Sequence, residues 1–291
     1  MTETAPGLLA VMPAWLYWAA AIWLGACVGS FLNVVAHRLP IMMQRQETLW
    51  AREALELEGD AEADAGETYN LLVPRSRCPH CGHAIRAHEN IPIVSWFLLR
   101  GRCSACGAGI SPRYPLVEAA TAAATCIVVA LFGPTWMALW ALLFTWSLIA
   151  LTLIDLDTQL LPDSIVLPLL WLGLLVNVAG VFAPLADAVI GAAIGYGVLW
   201  ALYWAFKLLT GKEGMGYGDF KLMGAMGAWL GWAALPGVVL LASLTGIMAA
   251  VAMMLAGSMA RETPMPFGPF IAAAGWLAML LTVASVGLPG L

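Results

Sequence analysis

The chain has 291 residues, of which 62% are hydrophobic and 11% charged, and its mean hydropathy is +0.85. An ordinary soluble domain carries about 25% charged residues, and a globule of this size cannot hide so much apolar surface. With a net charge of only −5, the composition excludes a disordered chain, a coiled coil, a collagen-like repeat and a disulfide-rich secreted scaffold, and it leaves an integral membrane protein.

A bilayer-spanning helix needs about 20 mostly apolar residues. Eight runs meet or approach that length, near 13–35, 114–132, 135–155, 164–182, 186–209, 220–235, 236–257 and 268–287. The expected fold is therefore an all-α membrane protein of about eight transmembrane helices. The sixth run is the weakest, and Pro236-Gly237 predicts a break between it and the seventh. The runs are continuously apolar without the alternation of barrel strands. The first is too long for a signal-peptide core, and MTETAPGLLAVM before it has no basic residue. The chain divides into a first span (1–36), a soluble loop domain (37–113) and a seven-helix membrane domain (114–291).

Arg38, Arg45, Arg52, Arg75, Arg77, Arg86, Arg100, Arg102 and Arg113 lie between the first two spans. Lys207, Lys212 and Lys221 cluster around 210–219, and Arg261 lies between the last two spans. Eight spans put all of them on one face and leave none on the other; seven would misplace Arg261. The positive-inside rule makes the basic face cytoplasmic, with both termini outside. The acidic stretch 53-EALELEGDAEADAGE-67 reads as a solvated segment of the loop.

The loop contains Cys78-Pro79-His80-Cys81 and Cys103-Ser104-Ala105-Cys106. A two-residue spacer lets both thiolates of a pair reach one tetrahedral ion, and four thiolates favour a structural Zn²⁺ with no open position for water. The reducing cytosol disfavours two disulfides. Gly82 and Gly107 suit the turn after each pair. His80 and His83 fall outside the ligand set, His37 and His88 have no evident partner, and Cys27 and Cys126 sit in spans as small hydrophobes. The loop lacks the dense basic run and interleaved aromatics of a nucleic-acid binder.

Ionisable groups beside spans mark function by default. Asp155 ends the third span, within Ile154-Asp155-Leu156-Asp157-Thr158-Gln159-Leu160-Leu161-Pro162-Asp163. Asp219 follows Gly214-Met215-Gly216-Tyr217-Gly218. Both fall at the cytoplasmic end of the membrane in the eight-span arrangement. Such a pair shares one proton, and it can activate water with one carboxylate while protonating a peptide carbonyl with the other. Each acid also has a plainer reading. Asp163 suits the N-cap or first turn of the fourth span, Asp157 points away from Asp155, and Asp219 suits a helix cap. Glu118 pairs with Arg113 or faces the bundle interior, and Asp187 caps a helix on the outer face.

Taken in order, these segments resemble the bacterial prepilin peptidases, the type IV leader peptidase/N-methyltransferases with a GxGD-type aspartate. The resemblance rests on Gly29-Ser30-Phe31-Leu32-Asn33-Val34 with His37-Arg38-Leu39-Pro40, the paired C-x2-C, Pro92-Ile93-Val94-Ser95-Trp96 through Arg100-Gly101-Arg102-Cys103, and Ser111-Pro112-Arg113-Tyr114-Pro115-Leu116-Val117-Glu118. It continues through Ile154-Asp155, Leu161-Pro162-Asp163, Gly214 to Lys221, and Pro266-Phe267-Gly268-Pro269. It implies cleavage of the basic leader of prepilins and pseudopilins after a glycine. Methylation of the new N-terminal amine by S-adenosylmethionine then follows. It further implies an inner-membrane location, Asp155 and Asp219 as catalytic residues, and Cys78, Cys81, Cys103 and Cys106 as zinc ligands. The acidic 53–67 segment is the least family-like part.

No glycine-rich dinucleotide-type fingerprint marks a site for the methyl donor; the 92–118 region, with Arg102 or Glu118, is the expected place. The alternatives are a peptidase without methyl transfer, a proton-coupled transporter and an assembly scaffold. The acids cluster at one membrane edge with no relay across the midplane and no clear inverted repeat, which disfavours a transporter. A scaffold leaves the glycine–aspartate motif unexplained.

Overall fold

A computed structural model describes residues 13–55, 69–212, 214–257 and 265–286. Among these residues the regular structure is helical, with two isolated β-bridges and no strand. The chain forms two compact units, 12–126 and 127–291. The first 12 residues, most of the acidic 53–67 stretch and Arg261 lie outside the described residues.

In the first unit, helix α1 (Ala14–Ala54) follows Pro13 and carries Pro40 inside it. At 1.5 Å per residue its 41 residues extend about 60 Å, twice a bilayer core. Only its apolar first half can lie in lipid, and the helix runs on through the start of the expected loop domain at 37. Residues 69–112 contain a 3-10 turn (Ala87–Asn90) and a short helix α2 (Val94–Leu98). Helix α3 (Arg113–Phe132) then packs antiparallel on α1. The contact is built on glycines. A methyl group on Gly25 would lie 2.6 Å from the Ala122 Cα, and one on Gly29 would lie 2.8 Å from the Glu118 Cα. Small residues one turn apart let membrane helices touch backbone to backbone. One turn further, the Asn33 amide donates to the Tyr114 carbonyl at 3.4 Å.

The second unit holds α4 (Trp136–Thr158), α5 (Asp163–Val178), α6 (Leu185–Thr210), α7 (Tyr217–Leu230), α8 (Leu235–Leu255) and α9 (Gly268–Val286). Helix α7 lies at its centre against α5, α6 and α9, with Asp219, Phe220 and 222–230 all buried. Its 14 residues reach only about 21 Å, yet a helix apolar all round belongs in a core. Gly191 and Gly195 of α6 face Gly227 and the Met223–Gly224 peptide of α7, and a methyl on Gly227 would collide with the Gly191 carbonyl. The far end of α7 is clamped by buried Asn177. Its amide donates to the Ala228 and Trp229 carbonyls at 2.9 Å, and its oxygen accepts from the Phe182 and Ala183 backbone N–H groups. The Trp229 indole donates to the Leu169 carbonyl at 2.8 Å.

The eight longer helices fall on the eight apolar runs of the sequence. Five of them are long and apolar enough to cross a membrane, and α5 and α9 are shorter apolar helices. Broad apolar surfaces on α6 and α8, such as Leu208, Leu240 and Ile247, stay exposed, as expected of a multi-pass membrane protein. The break between α7 and α8 falls at Gly231 (φ 77°), before Pro236. Proline is tolerated in the first turn of α8, because that turn's N–H groups have no intrahelical partner.

Candidate active site and metal centre

Asp155 sits in the last turn of α4 and Asp219 in the first turn of α7; they are 4% and 7% exposed. Helix α4 closes at Gln159 with a left-handed residue (φ 55°) whose N–H returns to the Asp155 carbonyl. The Asp155 carboxylate accepts a hydrogen bond from the Gly268 N–H at 3.0 Å, at the start of α9. A methyl on Gly268 would lie 2.6 Å from that carboxylate oxygen, so only glycine admits the contact. Gly216 precedes α7 in an extended conformation, and its carbonyl accepts from the Asp219 N–H. Leu161 fits between the two acids' neighbourhoods, and a methyl on either Gly218 or Gly268 would crowd it. Asp155 is bound to Gly268, and Leu161 lies against both Gly268 and Gly218, the residue before Asp219. The residues 64 apart in sequence, on separate helices, are thus brought together.

The other acids separate from this pair. Asp163 is the first residue of α5, where Pro162 rather than Asp163 holds the cap position. Both its oxygens accept from Lys221 Nζ at 2.7 Å, which ties the start of α5 to the first turn of α7. Asp157 is exposed. Asp187, in the first turn of α6, accepts from the Trp232 indole at 3.2 Å. Glu118 is 7% exposed and accepts from the Ile93 N–H at 2.6 Å, so it props a backbone turn. Arg102 is exposed on the loop.

The two C-x2-C segments form matching knuckles. Gly82 N–H donates to the Cys78 carbonyl and Gly107 N–H to the Cys103 carbonyl, each at 2.9 Å, and both glycines have positive φ (71° and 73°). All four sulfurs lie within 4.8 Å of one another, with Cys78–Cys106 at 3.9 Å and Cys81–Cys103 at 4.0 Å. Metal–sulfur bonds of about 2.3 Å in a tetrahedron require sulfurs about 3.8 Å apart. The cluster could therefore hold a metal ion with small side-chain movements. Backbone N–H groups of Cys81 and His80 lower the Cys78 thiol to about 7, and those of Cys106 and Ala105 lower Cys103. The N–H of His83 acts the same way on Cys81, but the neighbouring thiols and burial push it up to about 12. Keeping all four as thiolates at this distance would require a cation.

Sequence inspection misses two contributors. Glu89 bridges the knuckles by accepting from Ser104 Oγ at 2.5 Å and the Arg86 N–H at 2.8 Å, and it pairs with His83 at 3.3 Å. The Ser104 hydroxyl and the Arg86 N–H hold its carboxyl at about 2, with His83 adding to them. Gly268 is the other: it lies in a quoted motif, but nothing local shows that its N–H meets Asp155. His80 is exposed.

Fold and site together define a helical multi-pass membrane protein with a buried aspartate pair and a separate four-cysteine centre. Residues 23–132 match the bacterial peptidase A24 N-terminal domain, and residues 142–251 match the type IV leader peptidase family. A prepilin leader peptidase/N-methyltransferase of Aeromonas hydrophila is 57% identical over 281 residues, covering 96% of this chain and 94% of that one. Relatives of the same name from Stutzerimonas stutzeri and Pseudomonas aeruginosa are 57% and 56% identical, each over 89% of this chain and over 89% and 88% of their own lengths. The chain belongs to the type IV leader peptidase family. No solved structure matches it.

Proposed function

We propose that this chain cleaves the leader peptides of type IV prepilins and pseudopilins at the cytosolic edge of the bacterial inner membrane. It then methylates the new N-terminal amine. The observation that carries the cleavage reading is the meeting of Asp155 and Asp219, both buried, at adjoining helix ends.

With one proton shared, the ionised carboxylate takes a proton from water as that water attacks the scissile carbonyl. The protonated carboxylate gives its proton to the carbonyl oxygen. The tetrahedral intermediate collapses with proton transfer to the departing amine. The Gly268 N–H fixes the Asp155 oxygen it touches, and Leu161 excludes water from one side. Only the singly protonated pair is competent, so the rate of cleavage against pH should be bell-shaped.

Cys78, Cys81, Cys103 and Cys106 would hold one Zn²⁺. A four-thiolate ion offers no open position, so it keeps the 69–112 segment folded. S-adenosylmethionine, when bound, supplies the methyl group. The acceptor is the amine that cleavage frees, and it must shed a proton before it attacks. The topology and the placing of both termini outside follow the basic-residue asymmetry; the domain limits at 36/37 and 113/114 follow the ends of the first two apolar runs.

The test uses the purified chain with a prepilin and labelled S-adenosylmethionine, followed by mass measurement. A shortened product with one added methyl is expected. Shortening alone would reduce the chain to a peptidase. Intact prepilins with folded protein would overturn the reading.

A further inference from the structure

One exposed apolar turn of the first unit is held by contacts that neither the aspartate pair nor the metal centre needs. Pro92-Ile93-Val94 forms a γ-turn: the Val94 N–H donates to the Pro92 carbonyl at 2.6 Å, and Ile93 takes φ 63° and ψ −54°. This conformation is strained, and a β-branched residue is a poor occupant of it. The surroundings must over-determine it. The buried Glu118 carboxylate does so by accepting the Ile93 N–H. On the next turn, buried Ser95 donates to the His88 carbonyl and accepts from the Ile91 N–H, both at 2.8 Å. Trp96 donates to the Ile110 carbonyl and lies on Gly101. One side of α2 is thereby locked. The other side presents Val94, Phe97 and Leu98 at helical spacing, with Phe97 66% and Leu98 74% exposed.

The depth of this turn follows from the place of Glu118 on α3 and against α1. Glu118 is five residues into α3, about 7.5 Å along the axis from Arg113. Glu118 also abuts Gly29 of α1, which is seven residues, about 10 Å, inside the end of the apolar run near Ala36. The Glu118 side chain leans toward the Arg113 end of α3, so Ile93, bound to it, lies near the level where both helices turn polar. Val94, Phe97 and Leu98 follow it directly, and Tyr114 and Leu116 in the first turn of α3 are exposed as well. Arg100 and Arg102, both exposed, come immediately after.

We propose that the Val94–Leu98 turn is seated in the bilayer interface, with Phe97 and Leu98 at the acyl-chain boundary and Arg100 and Arg102 against anionic phospholipid headgroups. Apolar residues flanked by arginine on a short helical face bind that zone through buried area and headgroup attraction together. The strain at Ile93 then has a use: it turns the apolar side of α2 toward lipid. The inference rests on α1 and α3 being membrane spans and is independent of the aspartate assignment.

The test places a photo-reactive benzoylphenylalanine at Phe97, at Leu98 and, as a control, at exposed His80, in the full chain. The chain is reconstituted in vesicles of phosphatidylcholine with or without phosphatidylglycerol. Phospholipid adducts are expected at 97 and 98 and not at 80. Their yield should fall at least twofold without phosphatidylglycerol or with Arg100→Gln/Arg102→Gln. If the label at 97 disturbs folding, the label at 98 reads the same contact. Adduct yields no higher than at 80, or adducts to a second copy of the chain or to an added prepilin in place of lipid, would overturn the proposal. Adducts indifferent to phosphatidylglycerol and to the arginines would overturn its headgroup half.

Discussion

The two units solve the same problem, holding polar groups in place beside a membrane, in opposite ways. In 12–126 the polar groups organise the chain. Two knuckles close on four sulfurs, Glu89 bridges them, and Arg38 donates to the Asn70 and Pro74 carbonyls at 2.9 and 2.6 Å. In 127–291 apolar packing comes first and the polar groups are carried by it. Asp219 is buried because α7 is buried, and α7 is buried because glycines let α6 approach its backbone. A loop without a core large enough to fold it gains most from a chelate, which these four sulfurs could form. A helical bundle needs none and can bury two carboxylates at helix ends that pack on one leucine, Leu161.

That difference predicts different responses to substitution. The largest effect should come from Asp155→Ala or Asp219→Ala. Each should lower cleavage by about 10²–10⁴-fold, the range for a positioned acid or base, while the protein inserts and keeps its metal. Normal cleavage by either variant, followed by product mass, would remove the aspartate assignment. Next is Gly227→Ala, which drives a methyl into the Gly191 carbonyl. Overpacking of this kind costs about 1–3 kcal/mol, seen as a lower melting temperature in detergent with cleavage falling in step.

Cys→Ser at any one of the four positions should lower bound zinc, measured by elemental analysis, and expose 69–112 to protease without unfolding 127–291. Full metal retention would refute the ligand set, and collapse of both units together would refute the contrast. The smallest effect belongs to Asp163→Asn. Its pair with Lys221 is partly exposed, and such pairs contribute about 0–1 kcal/mol, so cleavage should fall less than tenfold. It should stay well above that of Asp155→Asn. An equal loss would mean that Asp163 touches the reacting groups.

Much of this was readable in the residues. The apolar runs gave the long helices, because a period of continuous hydrophobicity needs no tertiary partner to be recognised. The cysteine spacing pointed to a cluster that could hold a metal ion, because the approach of two short turns is local. Asp155 and Asp219 could be named as a pair, since charge at a span's edge is costly wherever it occurs. Less was readable about the ends of elements. Helix α1 continues to Ala54 through Pro40, and the α7–α8 break falls at Gly231, where Ala183 and Asp187 lie close alongside. The role of Glu118 was open between Arg113 and the bundle interior, and Glu89 gave no signal at all. Their partners are a backbone N–H 25 residues away and a hydroxyl 15 residues away.

What the sequence by itself determined is therefore the membrane class, the places of the helices and the kinds of chemistry available. Composition and short-range spacing act within a few residues, and they are the same in any fold. Only the tertiary structure decided that α7 is the enclosed helix, that Gly268 rather than a side chain supports Asp155, and that Ile93 is held in a strained turn against Glu118. Each of these is a contact between segments far apart in the chain. It exists because glycines allow backbones to approach and buried polar atoms must find partners where they land.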